Sequence, residues 1–480
     1  MKNCPYCNAI LEEEYPYCPN CNKPLISNLR TIVNGSLRMQ YGQDELILPA
    51  LEEGDESYED IIIRDEKIER KIQEINELLE RKQILGDPIP GSLFLEKSSL
   101  YYKLRDLPNA LKNLELALKN YEDENDLFNM AICHNEIGLI QEDMGFFDQS
   151  IYHFNQSLEV LKDMNDIFRV IKVLNNLGNL YFLIKDLEHS YEYYQEALDL
   201  SKQENLVFEE VKTSSNLVEV LFILRDFDRV RRILTSNAEF FKQNEDLYGV
   251  ITNEIKFGKL YFLEELDYDL AYQHLNNAYE LIESIKNNTT IYIKSTLEWE
   301  CLLYLGKLYL IWGKLFEAEN CLVKSLNAIR IFSVNDNIYE GEVLETLAEL
   351  YKTKENINKS IEYLNLAFEI YSKFGDKNKC ADIKFSIGSI LLNSKLETSN
   401  SITYFEDSLE IYEDLNYTKE AADILTTLGD LYIDRGSKDV ALLNLERAGK
   451  YYQEIQDNDR AKIVFDKIRA LKEENNLNEH

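Results

Sequence analysis

The sequence predicts an all-α solenoid of about nine stacked helical hairpins, preceded by a small metal-held module. Three observations predict it. Small residues recur in register about every 40 residues over three quarters of the chain, a regularity that independent domains do not produce. Four cysteines cluster in the first 21 positions in two identical spacings. Only 18 Gly and 8 Pro among 480 residues leave little material for turn-rich β folds, while 45% hydrophobic residues suffice for a core.

The N-terminal element, residues 1–27, carries Cys4, Cys7, Cys18 and Cys21 as C-x2-C, ten residues, C-x2-C. Two such knuckles supply four thiolates in tetrahedral array, a closed shell with no open position for a catalytic water. Asn8 and Asn22 follow the knuckles, where the backbone usually turns with positive φ. The segment resembles the small zinc ribbons at the N-termini of many prokaryotic proteins, which have Gly at those places. One structural Zn ion is therefore the expected cofactor. An iron site or a redox disulfide is the rival, because cysteine spacing alone does not separate zinc from iron. About 27 residues bury too little surface to fold unaided, so the metal is expected to supply the folding energy. Lys2 and Lys23 stand against Glu12, Glu13 and Glu14 with no basic stripe, so nucleic-acid binding by this element is not expected.

Residues 28–57 mix Gly35, Gly42, Pro49 and Gly54 with short apolar runs and end in an acidic stretch, which reads as a linker. From 58 to 86, Ile61, Ile68, Ile72, Ile75 and Leu79 recur mostly at three- and four-residue steps. They make one helical stripe, stopped by Gly86-Asp87-Pro88. Such a helix lies either against the first repeat or in a short coiled-coil contact.

The repeats occupy 91–456. Aligned on a small residue in the first helix of each unit, the column runs Ser98, Gly138, Gly178, Val218, Gly258, Gly306, Ala348, Gly388 and Gly429. Its spacings are 40, 40, 40, 40, 48, 42, 40 and 41. A second column, twelve or thirteen residues on, runs Ala110, Ser150, Ser190, Val230, Ala271, Ala318, Ser360, Ser401 and Ala441. The third begins at Ala117 and ends at Ala448, with Asn237 in the fourth unit. Small side chains at these places let antiparallel helices approach closely. The fourth unit, with Val218, Val230 and Asn237, is expected to pack more loosely, and Lys286–Thr290 falls where the spacing of 48 predicts a longer connection. Residues 457–480 carry Ala461, Val464, Phe465, Ile468 and Leu471 on one face and read as a capping helix and tail.

This pattern resembles the tetratricopeptide repeat family in a long form of about 40 residues per unit. The resemblance implies a right-handed superhelix whose first helices line a concave groove, and a protein-binding function. It also implies groove columns three before, one after and four after the small residue. Those columns offer Asn135, Asn175 and Asn179, which could bracket a peptide backbone, and Phe182, Phe222 and Phe262 as an apolar strip. The alternatives are solvated amides and rings packed on the next helix. Farther along, Glu342, Glu345 and Glu349 belong to an acidic set that would draw basic residues of a partner, unless they only share the overall charge of −34.

Enzymatic activity is not expected. The five histidines, His134, His153, His189, His274 and His480, stand singly on helical sequence, and there is no Gly-rich phosphate loop. Cys133, Cys301, Cys321 and Cys380 read as small buried hydrophobes. The excess of 86 acidic over 52 basic residues disfavours nucleic acid and anionic membranes, no apolar run reaches bilayer length, and no leader is expected. The reading is a cytoplasmic scaffold that binds a protein or peptide, its oligomeric state open, with the ribbon as accessory module. Two rivals stand beside it: a regulator resembling bacterial peptide-sensing repeat proteins, and ribbon-mediated attachment to a transcription complex.

Overall fold

The computed structural model describes residues 2–3, 10–11, 58–264, 267–285, 291–332, 337–394 and 398–478. Cys4, Cys7, Cys18, Cys21, the linker 28–57 and the connection 286–290 lie outside the described residues. Two two-residue strands, β1 (Lys2–Asn3) and β2 (Ile10–Leu11), pair antiparallel, and Cys4 and Cys7 lie between them in sequence. The rest of the described chain is helical.

The chain divides into two compact units, residues 1–308 with 327–335 and residues 309–326 with 336–480. In the first, α1 (Tyr58–Leu85) is followed by five antiparallel pairs. These are α2 (Gly91–Lys103) with α3 (Leu107–Glu124), α4 (Leu127–Asp143) with α5 (Phe147–Asp163), and α6 (Ile167–Leu183) with α7 (Leu187–Gln203). Then come α8 (Val207–Ile223) with α9 (Phe227–Gln243), α10 (Leu247–Leu263) with α11 (Tyr268–Ser284), and α12 (Ile291–Ile311). The second unit holds most of α13 (Leu315–Phe332), then α14 (Ile338–Thr353) with α15 (Ile357–Lys373) and α16 (Lys377–Ser394) with α17 (Thr398–Asp414). It ends with α18 (Thr418–Asp434), α19 (Lys438–Glu454) and α20 (Asn458–Asn478).

The small columns are where the helices meet. All nine second-column residues, from Ala110 to Ala441, are 0% exposed. The serines there also remove a polar cost: Ser150 Oγ donates to the Gly138 carbonyl at 2.7 Å, Ser190 to Gly178 at 2.8 Å and Ser360 to Ala348 at 2.8 Å. A side chain at Gly178 would strike the partner helix, since a Cβ there would lie 2.6 Å from the Tyr194 ring. The fourth unit is not loose. Val218 and Val230 are 0% exposed, and the buried Asn237 amide bonds Ser214 and Ser215, so volume and hydrogen bonds replace the missing small residues.

A two-residue device ends one helix and starts the next at several of the turns. Arg105, Asn125, Lys185 and Arg225 take positive φ, and the following Asp106, Asp126, Asp186 and Asp226 cap the next helix by accepting from the backbone N–H three residues on. Ile68, Ile72 and Ile75 of α1 pack on Leu100 of α2, the reading in which this helix lies on the first repeat. At the other end, Ala461, Val464, Ile468 and Leu471 of α20 join the core of α18 and α19. Part of the long spacing is absorbed by α12 itself, with 21 residues where α10 has 17.

Candidate protein-binding face

On the first helices of the N-terminal unit, one side-chain order is written twice, 40 residues apart: Phe168, Lys172, Asn176, Asn179, Phe182 on α6 and Phe208, Lys212, Asn216, Glu219, Phe222 on α8. Steps of three and four residues place each set on one helix face. The aromatic at the head of each stripe is open, Phe168 at 39% and Phe208 at 47% exposed. Lys172 Nζ lies 4.2 Å from the Phe168 ring centre, and Arg169 stacks on Phe128 of α4 at 4.8 Å, so cations sit against rings at this edge. Burial pushes the Lys212 ammonium down from its ordinary range, opposed by Glu209 and reinforced by the like charge of Lys172.

Below the lysines the polar groups bind each other. Asn176 donates to Asn135 at 2.9 Å and Asn216 to Asn175 at 3.4 Å, while Asn175 donates to the Ile171 carbonyl and to Thr213 Oγ1. Asn135 and Asn175, expected on an open face, are 4% and 3% exposed. Their amides stitch successive first helices together, so they are not presented to solvent. Asn179 is half-buried and accepts from the Tyr194 hydroxyl at 2.5 Å. The three phenylalanines also divide: Phe222 is core at 5% exposed, Phe182 packs beside it half-buried, and Phe262 meets Tyr304 edge-on at 5.4 Å.

Deeper in the same unit, four charges close a square across three first helices. Lys256 and Lys259 of α10 each pair with Glu219 of α8 and Glu300 of α12, three of the four contacts measuring 2.8–3.0 Å. Although burial pushes Glu219 up, the two ammonium groups outweigh it and hold the carboxyl at about 2. Lys259, also desolvated, is raised well above its ordinary value by Glu219 and Glu300.

The second unit treats its acids differently. Glu345 accepts from the Tyr371 hydroxyl at 2.6 Å and from Lys379 at 3.0 Å, Asp382 accepts from Tyr412, and Asp423 accepts from Tyr452 and Arg460. Glu349 is exposed and pairs with Lys352 at 3.0 Å, and Glu342 is half-buried on α14. The acidic column is thus largely partnered from within, and apart from Lys352 the partners lie 26–37 residues away on other helices, which the sequence did not disclose.

The four histidines among the described residues each have a partner, His189 through Asp186. His134 and His153 bring their Nδ1 atoms to 2.8 Å, and His274 faces Glu254 at 2.9 Å while stacking on Phe257 and Tyr261. Burial pushes the Cys133 thiol up to about 12 and Cys321 up to about 11, which suits inert packing residues. Among the described residues, no group of three or more His, Cys, Asp or Glu side chains is placed to hold a metal, and no helix is long and apolar enough to cross a membrane.

Comparison with known proteins follows the same lines. A tetratricopeptide repeat model matches residues 171–204, the α6–α7 hairpin, and a model of the soluble NSF attachment protein matches residues 314–479. The chain carries tetratricopeptide-type helical repeats. Among solved structures it is similar to the signal transduction ATPase with numerous domains from Pyrococcus horikoshii that has a tetratricopeptide repeat sensor. That likeness has TM-score 0.51 and 13% identity over 78% of this chain, and it spans about half, 55%, of that protein. It is also similar to the apo quorum sensor NprR from B. thuringiensis, with TM-score 0.48 and 16% identity, covering 74% of this chain and 96% of that one. A Rap protein complexed with competence and sporulation factor gives TM-score 0.46 and 16% identity, covering 79% and 99%. No curated protein matches the chain.

Proposed function

We propose that the chain is a non-enzymatic scaffold that seats a protein or peptide segment across the first helices of its tetratricopeptide-type repeats. The observation that carries this reading is the open aromatic followed one turn on by a lysine, Phe168 with Lys172 and Phe208 with Lys212, repeated at the heads of α6 and α8. A segment laid across successive first helices meets the same chemistry at each step, which is what recognition of an extended chain requires. In support, the titratable groups nearest to a catalytic constellation are shifted the wrong way: burial pushes His134 down to about 4 and holds Cys133 protonated.

The four N-terminal cysteines are proposed to hold one zinc ion as a structural contact module. The donor set fits, since four thiolates close a tetrahedral shell, and the β1–β2 pairing brackets the first knuckle in sequence. A second reading, a peptide-responsive regulator, is favoured by the Asn176–Asn135 and Asn216–Asn175 bonds that join successive first helices. A ligand that competes for those amides would alter the spacing of repeats.

The test is capture from cell extract by the full chain and by an Asn179→Arg variant, with Lys202→Glu on exposed α7 as control. The scaffold reading expects the partner to be lost from the Asn179→Arg sample and kept by the control. A partner held equally by all three would place binding elsewhere.

A further inference from the structure

Each first helix of the N-terminal unit from α4 to α10 opens on an aliphatic residue followed by an aromatic one. Leu127, Ile167, Val207 and Leu247 recur at steps of 40 residues, each with phenylalanine or tyrosine after it. Large apolar groups are unusual at helix heads, where caps and acids are favoured, and here they are open: Leu127, Val207, Phe208 and Leu247 are 41–54% exposed. Half-open side chains of this size leave on the order of 400 Å² of apolar surface along one edge, enough to mark an interaction site on a soluble chain. Neighbouring heads touch, since Arg169 of α6 lies on the Phe128 ring of α4. The second unit does not continue the row. Its α16 and α18 open on Lys377-Asn378 and Thr418-Lys419, and α14 keeps the pair as Ile338-Tyr339, half-buried.

We propose that this row is a docking strip for an amphipathic α-helix of a partner protein, laid along the edge of the repeats across the heads of their first helices. Spacing selects the helix. Neighbouring first helices stand roughly 10 Å apart, and an α-helix rising about 1.5 Å per residue returns an apolar side chain to one face every seven residues, at about 10.5 Å. An extended strand covers that distance in about three residues, an odd step that turns the side chain to the opposite face, so it would miss every second head. A polyproline helix keeps the period but docks by stacking prolines on ring faces, and here those faces are taken. Arg169 covers Phe128, Lys172 covers Phe168 at 4.2 Å, and Phe208 meets Phe240 edge-on at 6.4 Å. Charge sets the direction. The turn before α4 exposes Glu122, Asp123 and Glu124, whereas the place of Glu122 is taken by Lys162, Lys202 and Lys242 at the next three turns. The docked helix therefore carries its basic residues at the end over α4 and not toward α10. This inference rests on the scaffold reading above and names the partner element, which lies along the heads and not over the buried asparagines.

The test is a selection of random displayed peptides of about 25 residues against the full chain, followed by anisotropy and circular dichroism of the selected peptides. The variants are Leu127→Gln, Val207→Gln and Leu247→Gln combined, and Glu122→Gln with Asp123→Asn and Glu124→Gln, each first shown to melt like the parent. The expected peptides repeat apolar residues at three- and four-residue steps, carry basic residues at one end and gain helix signal on binding. They lose about tenfold or more in affinity with the head variant, and about threefold at low salt with the acidic-turn variant. Peptides with prolines at three-residue steps, or binding indifferent to the heads but lost on Asn179→Arg, would overturn the helix strip and leave the scaffold standing. So would flotation of the chain with phosphatidylcholine vesicles, or a concentration-dependent dimer in light scattering, if the head variant abolishes either, since the strip would then serve a membrane or a second copy. A selection that enriches nothing would count against both.

Discussion

The two units solve the same packing problem with different polar chemistry. In the first, polar groups on successive first helices bind one another directly, through the asparagine bonds and the square of Lys256, Lys259, Glu219 and Glu300. In the second, acids of the first helices are held by tyrosine hydroxyls of the second helices and by cations of the next first helix. The lesson is that a column of like residues in a repeat alignment does not define a binding surface. What decides is whether the neighbouring helix supplies a partner. By that measure the acidic column is largely structural.

The largest expected effect lies where both units agree, in the small column. Gly178→Leu drives a side chain into the Tyr194 ring and is expected to cost about 3 kcal/mol or more, whereas Lys185→Ala on the turn is expected within about 0.5 kcal/mol. Thermal melting decides it, and equal midpoints would break the repeat register itself.

Next in size, Glu219→Ala leaves two buried ammonium groups in the first unit with one glutamate between them, at a cost of about 3 kcal/mol. Glu345→Ala in the second unit removes one acceptor from a half-exposed cluster and is expected to cost about 1 kcal/mol. Denaturant titration of both variants sharpens the contrast; similar losses would mean the square is no tighter than the tyrosine-held acids.

The units should also separate by pH. His134 is held near 4 by burial and by the neighbouring His153, which is itself lowered by burial, so the fold prefers both neutral. The unfolded chain takes up those protons below about 6.5, and stability falls as pH drops from about 6.5 toward 4. In the second unit, burial and the carboxylates Glu345 and Asp382 raise Tyr371 and Tyr412 far above the ordinary phenol range. There the unfolded chain loses protons that the fold keeps, and stability falls above about pH 10. Hydrogen exchange read for each unit should show the α4–α5 pair opening first in acid and the α14–α17 helices first in alkali. In a His134→Gln variant the acid step should shrink.

The smallest effect is expected from Glu342→Gln, Glu345→Gln and Glu349→Gln together on partner association at low salt. Glu345 and Glu349 already have cations within the chain, so the on-rate should change by less than about twofold. A large slowing would restore the acidic face as a docking surface.

Much of the fold was legible because close helix packing writes small residues into fixed columns, and a column of nine cannot be mistaken for chance. Less legible was the fourth unit, where two valines and an asparagine keep the interface closed by filling it. A signal passed over was the pair of a positive-φ residue and Asp, Arg105-Asp106, Asn125-Asp126, Lys185-Asp186, which marks many of the helix starts. The candidate site was read in part. Asn179 and Phe182 are half-buried on α6, but burial of Asn135, Asn175 and Phe222 depends on neighbours about 40 residues away that one repeat does not reveal.

The account's central claim, that a partner lies across the first helices of the N-terminal unit, is tested most directly by site-specific photocrosslinking. A benzophenone amino acid placed at Asn179 on α6, or at Gln195 on the second helix α7, is irradiated in the captured complex of the full chain. The account predicts partner crosslinks from position 179 and none from position 195. Crosslinks confined to position 195 would contradict it.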